Sequence, residues 1–456
     1  MIVRTAVTQV RPHLLFLFAC AALFAQEPTI RVDVQQVLVP VVVTDKKGHH
    51  VTGLRASDFR ILEDGVAQEI ASFSSDTAAS AGDLGALSRP AAGGAAAPAP
   101  ASARHTFVIC LDTLHSAPAN APRIQQALEN VFEKEKSTGA QYVLMAIGRQ
   151  LQVLEPATAN PLALLVKVRS AAFRNSLSGM DASARAAQLQ NIRARMDEIC
   201  KHCACGARSN QGNCDSEIDT LKQSVDAEAE RWNAPTKELL EQFKSVVEEL
   251  AKLPTGRTLI LISEGFSADP RREFYAAVSA YLPNRPQFKL EDSAGDPTLR
   301  AALQIAADRN VIIDTIDSRT GTTAPLAASG AMDAGSSGAA AAYGDVVGIN
   351  RPRTPAARAA TLENEPGTQL NALSLEGSAT MEEISKTTGG LYYHASGDLG
   401  KDLHGALADG REYYVLAYVP KNSASDGKYR TITVETADKK LTIRAKPGYW
   451  ASGAAQ

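Results

Sequence analysis

A surplus of basic charge is the first thing this sequence lacks. Its 47 Lys and Arg face 50 Asp and Glu, for a formal net charge of −3, and no run gathers the basic residues on one face. Nucleic acid is therefore not an expected partner, because a phosphate backbone is met by a concentrated positive stripe. Long apolar runs are also missing. After residue 25 no stretch approaches the roughly 18 apolar residues of a membrane-spanning helix, so no transmembrane segment is expected once a leader is removed. No glycine-rich loop leads from a strand into a helix, which removes the usual phosphate cradle. His49, His50, His394 and His404 do not have the spacing of metal ligands. Cysteine is sparse, with six in 456 residues, yet four of them crowd between positions 200 and 214.

What is present begins with a leader. Arg4 and Arg11 precede "LLFLFACAALFA" (14–25), and Gln26, Glu27 and Pro28 end the run. This pattern reads as a cleavable secretory signal over 1–25, cut after Ala25. Cys20 leaves with it, since the bulky Phe18 and the apolar run beyond disfavour lipid attachment there. The expected location is outside the cytoplasm, in the periplasm or beyond the cell. Over 28–75 the alternation of Val32, Val34, Val37, Val39, Val41 and Val43 predicts a strand, and "FRILEDGVAQEIASF" predicts a hairpin closed at Asp64-Gly65. Residues 76–103 have no aromatic side chain and almost no charge, so they predict a disordered linker.

From 104 to about 410, apolar strands alternate with helical segments. The strands are "HTFVICLD" (105–112), "QYVLMAIG" (141–148), "RTLILIS" (257–263) and "VIIDTID" (311–317). Helices are expected near 122–136, 161–172, 236–252 and up to Arg309. Short, almost wholly apolar strands between helices are what a parallel sheet covered on both faces requires. The expected fold class is α/β, a doubly wound and mostly parallel sheet with flanking β segments. Two insertions interrupt it. Residues 320–372, rich in Ala, Gly, Thr and Pro, predict a mobile loop. Residues 181–234 predict an antiparallel helical hairpin, with Leu189, Ile192, Met196 and Ile199 on one face and Ile218, Leu221, Val225, Ala229 and Trp232 on the other.

The hairpin tip carries Cys200, Cys203, Cys205 and Cys214 in "CKHCACGARSNQGNC". In an exported chain these predict two disulfides, for which three pairings exist. A zinc site with His202 as a spare ligand is the competing reading, against which the tight spacing weighs. Cys110, in mid-strand, is expected as a small core residue.

The last 80 residues hold a helix closing at Gly389-Gly390, a strand over 391–394, a helix over 398–407 and strands at 412–419, 429–436 and 440–446, read together over 411–450 as a β meander turning at Asp426-Gly427. With "VLVPVVVTDKKGHHVTGLRASDFRILEDGVAQEIASFS", "FVICLDTLHS", "TTGGLYY", "EYYVLAYVP", "DGKYRTITV" and "RAKPGYW", the chain resembles the exported von Willebrand factor A-related proteins of acidobacteria. The resemblance implies an A-type domain with a central sheet, and little about its ligand.

It also implies where to look for an ion. A-type domains hold Mg²⁺ or Ca²⁺ through an Asp-x-Ser-x-Ser turn after the first strand, a Thr from a later loop and an Asp after a further strand. A position is left for an acidic group of the partner. Here the turn is Asp112, Thr113, Leu114, His115, Ser116, so the middle ligand is replaced by Leu114, and Glu264 stands in "SEGFS" where Asp is usual. Thr158, Ser176 and Ser178 are candidates for the Thr position. The metal candidates are thus Asp112, Ser116 and Glu264, in a degenerate site. The alternative is that Asp112 merely caps the turn. Asp112, His115 and Ser116 also invite a catalytic triad, but neighbours in one turn rarely reach that geometry. The expected function is non-enzymatic binding of a protein or surface ligand at the sheet edge. Two alternatives stand beside it, a metal-independent envelope scaffold and a zinc enzyme built on the cysteine tip.

Overall fold

A computed structural model of the chain describes residues 36–76, 105–135, 140–177, 181–203, 205, 214–253, 256–279, 281–282, 285–288, 296–319, 367–394 and 396–451. The signal over 1–25, the linker from 77 onward and the loop over 320–366 lie outside the described residues.

The chain opens with β1 (Val37–Thr44), β2 (Phe59–Glu63), β3 (Val66–Gln68) and β4 (Ile70–Asp76). β2 and β3 form the expected hairpin. Asp64 and Gly65 both take positive φ, 47° and 79°, which is the two-residue turn whose twist matches paired strands.

A six-stranded sheet follows. It comprises β5 (Thr106–Asp112), β6 (Gln141–Ile147), β7 (Gln152–Thr158), β8 (Arg257–Ser263), β9 (Ile312–Asp317) and β10 (Tyr392–Tyr393), in the order β10-β9-β8-β5-β6-β7. All neighbours are parallel except β6 and β7. β7 carries no apolar alternation and was not expected; it lies on the sheet's edge, where a half-exposed strand with Pro156 is tolerated.

The helices are α1 (Ala121–Lys134), α2 (Pro161–Val168), α3 (Ala171–Ser176), α4 (Asp181–His202), α5 (Asp215–Ala251), α6 (Pro270–Ser279), α7 (Pro297–Arg309), α8 (Gly367–Thr388) and α9 (Leu399–Asp409). The period of two in β5 sorts its side chains between two cores. Phe107, Ile109 and Leu111 join α1, α2, α3 and α9, whereas Val108 and Cys110 join α4 to α8. Burying each of the larger side chains stabilises by about 1.5–3 kcal/mol, so a central strand apolar on both faces can sit only between two helical layers. Local signals set the helix ends. Asp296 accepts hydrogen bonds from the Thr298 and Leu299 amides at 2.8 and 3.0 Å, Pro297 opens α7, and Asn310 closes it at φ 54°.

Three expectations need correction. The hairpin's second helix does not stop at 234. α5 is one 37-residue helix with Pro235 inside it, about 55 Å long at 1.5 Å per residue. Burial of Trp232, Leu239 and Leu240 on both sides of the proline offsets the lost backbone bond. Residues 367–372, expected in the mobile loop, begin α8. Finally, the C-terminal strands are not a meander. β11 (Tyr413–Tyr418), β12 (Tyr429–Thr436), β13 (Thr442–Ala445) and β14 (Gly448–Trp450) alternate between two antiparallel sheets, ordered β13-β1-β11-β4 and β14-β12-β2-β3. Each sheet therefore mixes the first strands of the chain with the last. Val39, Val41, Val43, Phe59, Ile61, Tyr414, Leu416, Tyr418 and Ile432 form their shared core.

Candidate functional site

β5, β8 and β9 run parallel and end together, so the residues after Asp112, Ser263 and Asp317 collect on one rim. Asp112 and Glu264 both belong to it.

Asp112 is completely enclosed. Its Oδ1 accepts hydrogen bonds from the Leu114 and His115 amides at 2.9 and 3.0 Å, and its Oδ2 accepts from Ser263 Oγ at 2.7 Å and lies 2.9 Å from His115 Nδ1. A carboxylate offers about four lone-pair positions, and four protein groups take them here. Burial alone would raise its pKa, but attraction to the His115 ring and the hydrogen bonds from His115 and Ser263 outweigh it and hold the carboxyl below its usual range. The His115 ring is buried as well, stacked on Phe266 with centroids 5.0 Å apart. Asp112 thus caps its turn, and an ion reaching it would displace His115 or Ser263.

The other turn residues point elsewhere. Leu114 is buried in the core under α5, and Thr113 Oγ1 donates to the Ile147 carbonyl at 3.0 Å, tying the end of β5 to β6. Ser116 Oγ is buried and has no hydrogen-bond partner among the described residues, the imidazole of His115 included, so Asp112, His115 and Ser116 do not form a connected nucleophile and base.

Glu264 Oε1 accepts from the Ala117 amide at 2.5 Å and from Asn120 Nδ2 at 2.7 Å. It therefore clamps the start of α1 to the end of β8 while its second oxygen takes no hydrogen bond among those described. Burial raises its pKa, against the pull of Asn120 and the Ala117 amide. The next residue, Gly265, has φ +85°, and a Cβ there would stand 2.8 Å from the backbone of Gly377 in α8. Only glycine fits this approach of helix to loop, and it fixes the direction of Glu264.

The sequence reading missed several members of the rim. Ser263 donates to Asp112 and accepts from the Gly265 amide at 3.0 Å. Asp317 accepts from Arg319 Nε at 2.9 Å and from the Tyr392 hydroxyl at 3.2 Å. Arg123 Nη1 reaches from α1 to the Ser318 and Arg319 carbonyls at 2.7 and 2.6 Å. Its Nη2 and the Ser318 hydroxyl are buried and have no hydrogen-bond partner among the described residues. Signals for these were present only as polar residues after apolar strands. Thr158 and Ser176 do not join the rim: Thr158 Oγ1 accepts from the Asn160 amide at 3.1 Å, and Ser176 Oγ donates to the Phe173 carbonyl at 2.6 Å. Ser178 lies outside the described residues.

At the hairpin tip, Cys200 pairs with Cys205 and Cys203 with Cys214, with Cα separations of 5.3 and 5.9 Å. The Cys203–Cys214 bond joins the end of α4 to the start of α5. Cys110 is a buried free thiol, pushed up in pKa by desolvation and by the Asp112 charge. Among the described residues no helix is long and apolar enough to cross a membrane.

No family model matches the chain, and no curated protein matches it. The crystal structure of the conserved hypothetical protein BatB from Bacteroides thetaiotaomicron is similar at 10% identity and a TM-score of 0.28, over 67% of this chain and 98% of that one.

Proposed function

We propose that the protein is an exported, non-enzymatic binding module of A-type architecture, acting in the periplasm or outside the cell, which takes an acidic group of a protein or surface ligand at the carboxyl rim of its parallel sheet without needing an ion. The observation that carries this reading is the distribution of hydrogen bonds on the rim. Asp112 has no acceptor position left, whereas among the described residues the Ser116 and Ser318 hydroxyls and Arg123 Nη2 have no hydrogen-bond partner and can each donate, beside the unpaired second oxygen of Glu264. Buried donors without partners are costly, and a carboxylate is the ligand group that pairs most strongly with a guanidinium. Asp402 lies close enough to feel the Arg123 charge and is the internal competitor for it. The two disulfides suit an oxidising compartment.

A second reading keeps Mg²⁺ or Ca²⁺. The unpartnered Ser116 hydroxyl and the second oxygen of Glu264 favour it, and it requires Asp112 to give up one of its present partners.

The test is binding of a labelled glutamate-rich peptide to the mature protein in excess EDTA, followed by fluorescence anisotropy. Binding is expected to survive the chelator and to weaken at least ten-fold in Arg123→Ala, with Arg123→Lys intermediate. Binding that vanishes in EDTA and returns with Mg²⁺ would establish the second reading instead, and peptide binding absent under both conditions would overturn both.

A further inference from the structure

The disulfide-bonded tip of the hairpin carries a ligand set of its own. His202 ends α4, Cys203 follows it, Cys214 caps the start of α5, and Glu217 stands in the first turn of α5. Ligand atoms of His202, Cys203 and Glu217 all lie within 4.8 Å of one another, with His202 Nε2 2.9 Å from Glu217 Oε2. The Cys203 sulfur is bonded to that of Cys214, so the fourth residue adjoins the same point. His202 and Glu217 are exposed while Cys203 is buried, an arrangement that admits an ion from solvent and seats it against the helix ends.

We propose that this tip is a redox-gated zinc site: closed by the Cys203–Cys214 disulfide when oxidised, and a Cys203, Cys214, His202, Glu217 tetrahedron for Zn²⁺ when reduced. In the step that opens it, a dithiol reductant attacks the disulfide. The Cys203–Cys214 bond breaks, two electrons and two protons pass from the dithiol to the two sulfurs, which become thiols, and the dithiol closes to its own disulfide. Zn²⁺ then displaces both thiol protons to solvent and is held by two thiolates, an imidazole and a carboxylate, a mixed set that suits this borderline-soft ion. Two features favour ligation. Cys214 sits at a helix N-terminus, where a thiolate is stabilised, and the His202–Glu217 contact already holds two ligands side by side. Bonds of about 2.0–2.3 Å put neighbouring ligand atoms of a zinc tetrahedron roughly 3.5 Å apart, so His202 Nε2 and Glu217 Oε2, now 2.9 Å apart, and the two sulfurs once reduced would each spread to admit the ion. The Cys200–Cys205 pair is not needed as a ligand.

The experiment uses the full mature protein, oxidised or treated with a dithiol, and titrated with Co²⁺ as a spectroscopic stand-in and then with Zn²⁺. Reduced protein is expected to take up one ion per chain with the thiolate-to-metal charge-transfer and tetrahedral bands of Co²⁺, and oxidised protein to show neither. His202→Ala and Glu217→Gln are each expected to weaken the reduced site at least ten-fold. The double variant Cys203→Ser with Cys214→Ser, which retains the other disulfide, is expected to bind none. Uptake by the oxidised protein, or a reduced site indifferent to His202→Ala and Glu217→Gln and therefore tetrathiolate, would overturn the proposal. So would reduced protein that takes up no ion, provided its circular dichroism shows it still folded.

Discussion

At the scale of single residues, the account turns on Asp112. A carboxylate at the end of a parallel strand can serve an ion or serve the fold, and its hydrogen bonds decide which. Here the Leu114 and His115 amides, the His115 ring and the Ser263 hydroxyl surround it. Removing it strands a buried imidazole and a buried hydroxyl, at a cost of about 1–3 kcal/mol for each group left unsatisfied. Asp112→Ala is accordingly expected to lower unfolding free energy by about that amount in urea denaturation. A cost below about 1 kcal/mol would mean that these hydrogen bonds do not hold the turn. The same residue shows the limit of sequence reading. That Asp112 follows an apolar strand was plain, and so was the loss of a ligand at Leu114. The arrival of Ser263 from β8, 151 positions away, was not, because side-chain contact across a sheet depends on strand order rather than on spacing.

At the scale of elements, the strands with continuous apolar runs were legible almost to the residue, since burial on both faces leaves no other home for "FVICL" or "LILI". β7 was not, because an edge strand is half wet and has no such pattern. α5 shows a different failure. Pro235 is a sound reason to end a helix, yet tertiary packing of Trp232, Leu239 and Leu240 carried the helix through it. The hairpin is consequently an extension of a helix that packs under the sheet, and Ile218, Leu221 and Val225 continue the face that Leu239 and Phe243 begin. At the C-terminus, the strands expected over 412–419 and 429–436 form as β11 and β12. Their partners came from the other end of the chain: Val39 pairs with Leu416, and Ile61 with Val434. Nothing local encodes a pairing across more than 350 positions.

At the scale of the whole molecule, the β13-β1-β11-β4 sheet meets the α/β layer at a cluster of buried charge. Asp409 at the end of α9 accepts from His50 Nε2 at 2.7 Å and from the Tyr393 hydroxyl at 3.0 Å, and it pairs with Arg444 of β13. Asp314 in β9 is wholly buried; its Oδ1 accepts from the Leu391 amide at 2.7 Å and its Oδ2 takes no hydrogen bond. Desolvation, with the Asp409 charge behind it, pushes its pKa up to about 7, while the hydrogen bond to Asp409 raises that of His50. Both folded-state values exceed the unfolded ones, so both groups favour the fold at low pH and lose that contribution as pH rises. For Asp314 the loss falls between about 4 and about 7, and for His50 it falls above 6.5, at up to about 1.4 kcal/mol per pH unit for each group. Asp409 has its pKa lowered despite its burial, because His50 and Arg444 outweigh desolvation, so its own contribution fades only in stronger acid. Buried His105, whose pKa desolvation lowers to about 3, works the other way up to pH 6.5, so the Asp314 contribution is read as a difference: in urea denaturation at pH 5, 6 and 7 the wild type is expected to lose stability relative to Asp314→Asn as pH rises. A difference between the two proteins that stays flat or grows in favour of the wild type over this range would contradict the assignment.

The central claim is that the rim serves binding through fixed protein donors, with Asp112 committed to the fold. Calorimetric titration of the mature protein with Mg²⁺, Ca²⁺ and Mn²⁺, beside Asp112→Ala and Glu264→Ala, tests it most directly. The account predicts no saturable heat from any of the three ions in any of the three proteins; saturable binding in the wild type that disappears in both variants would contradict it.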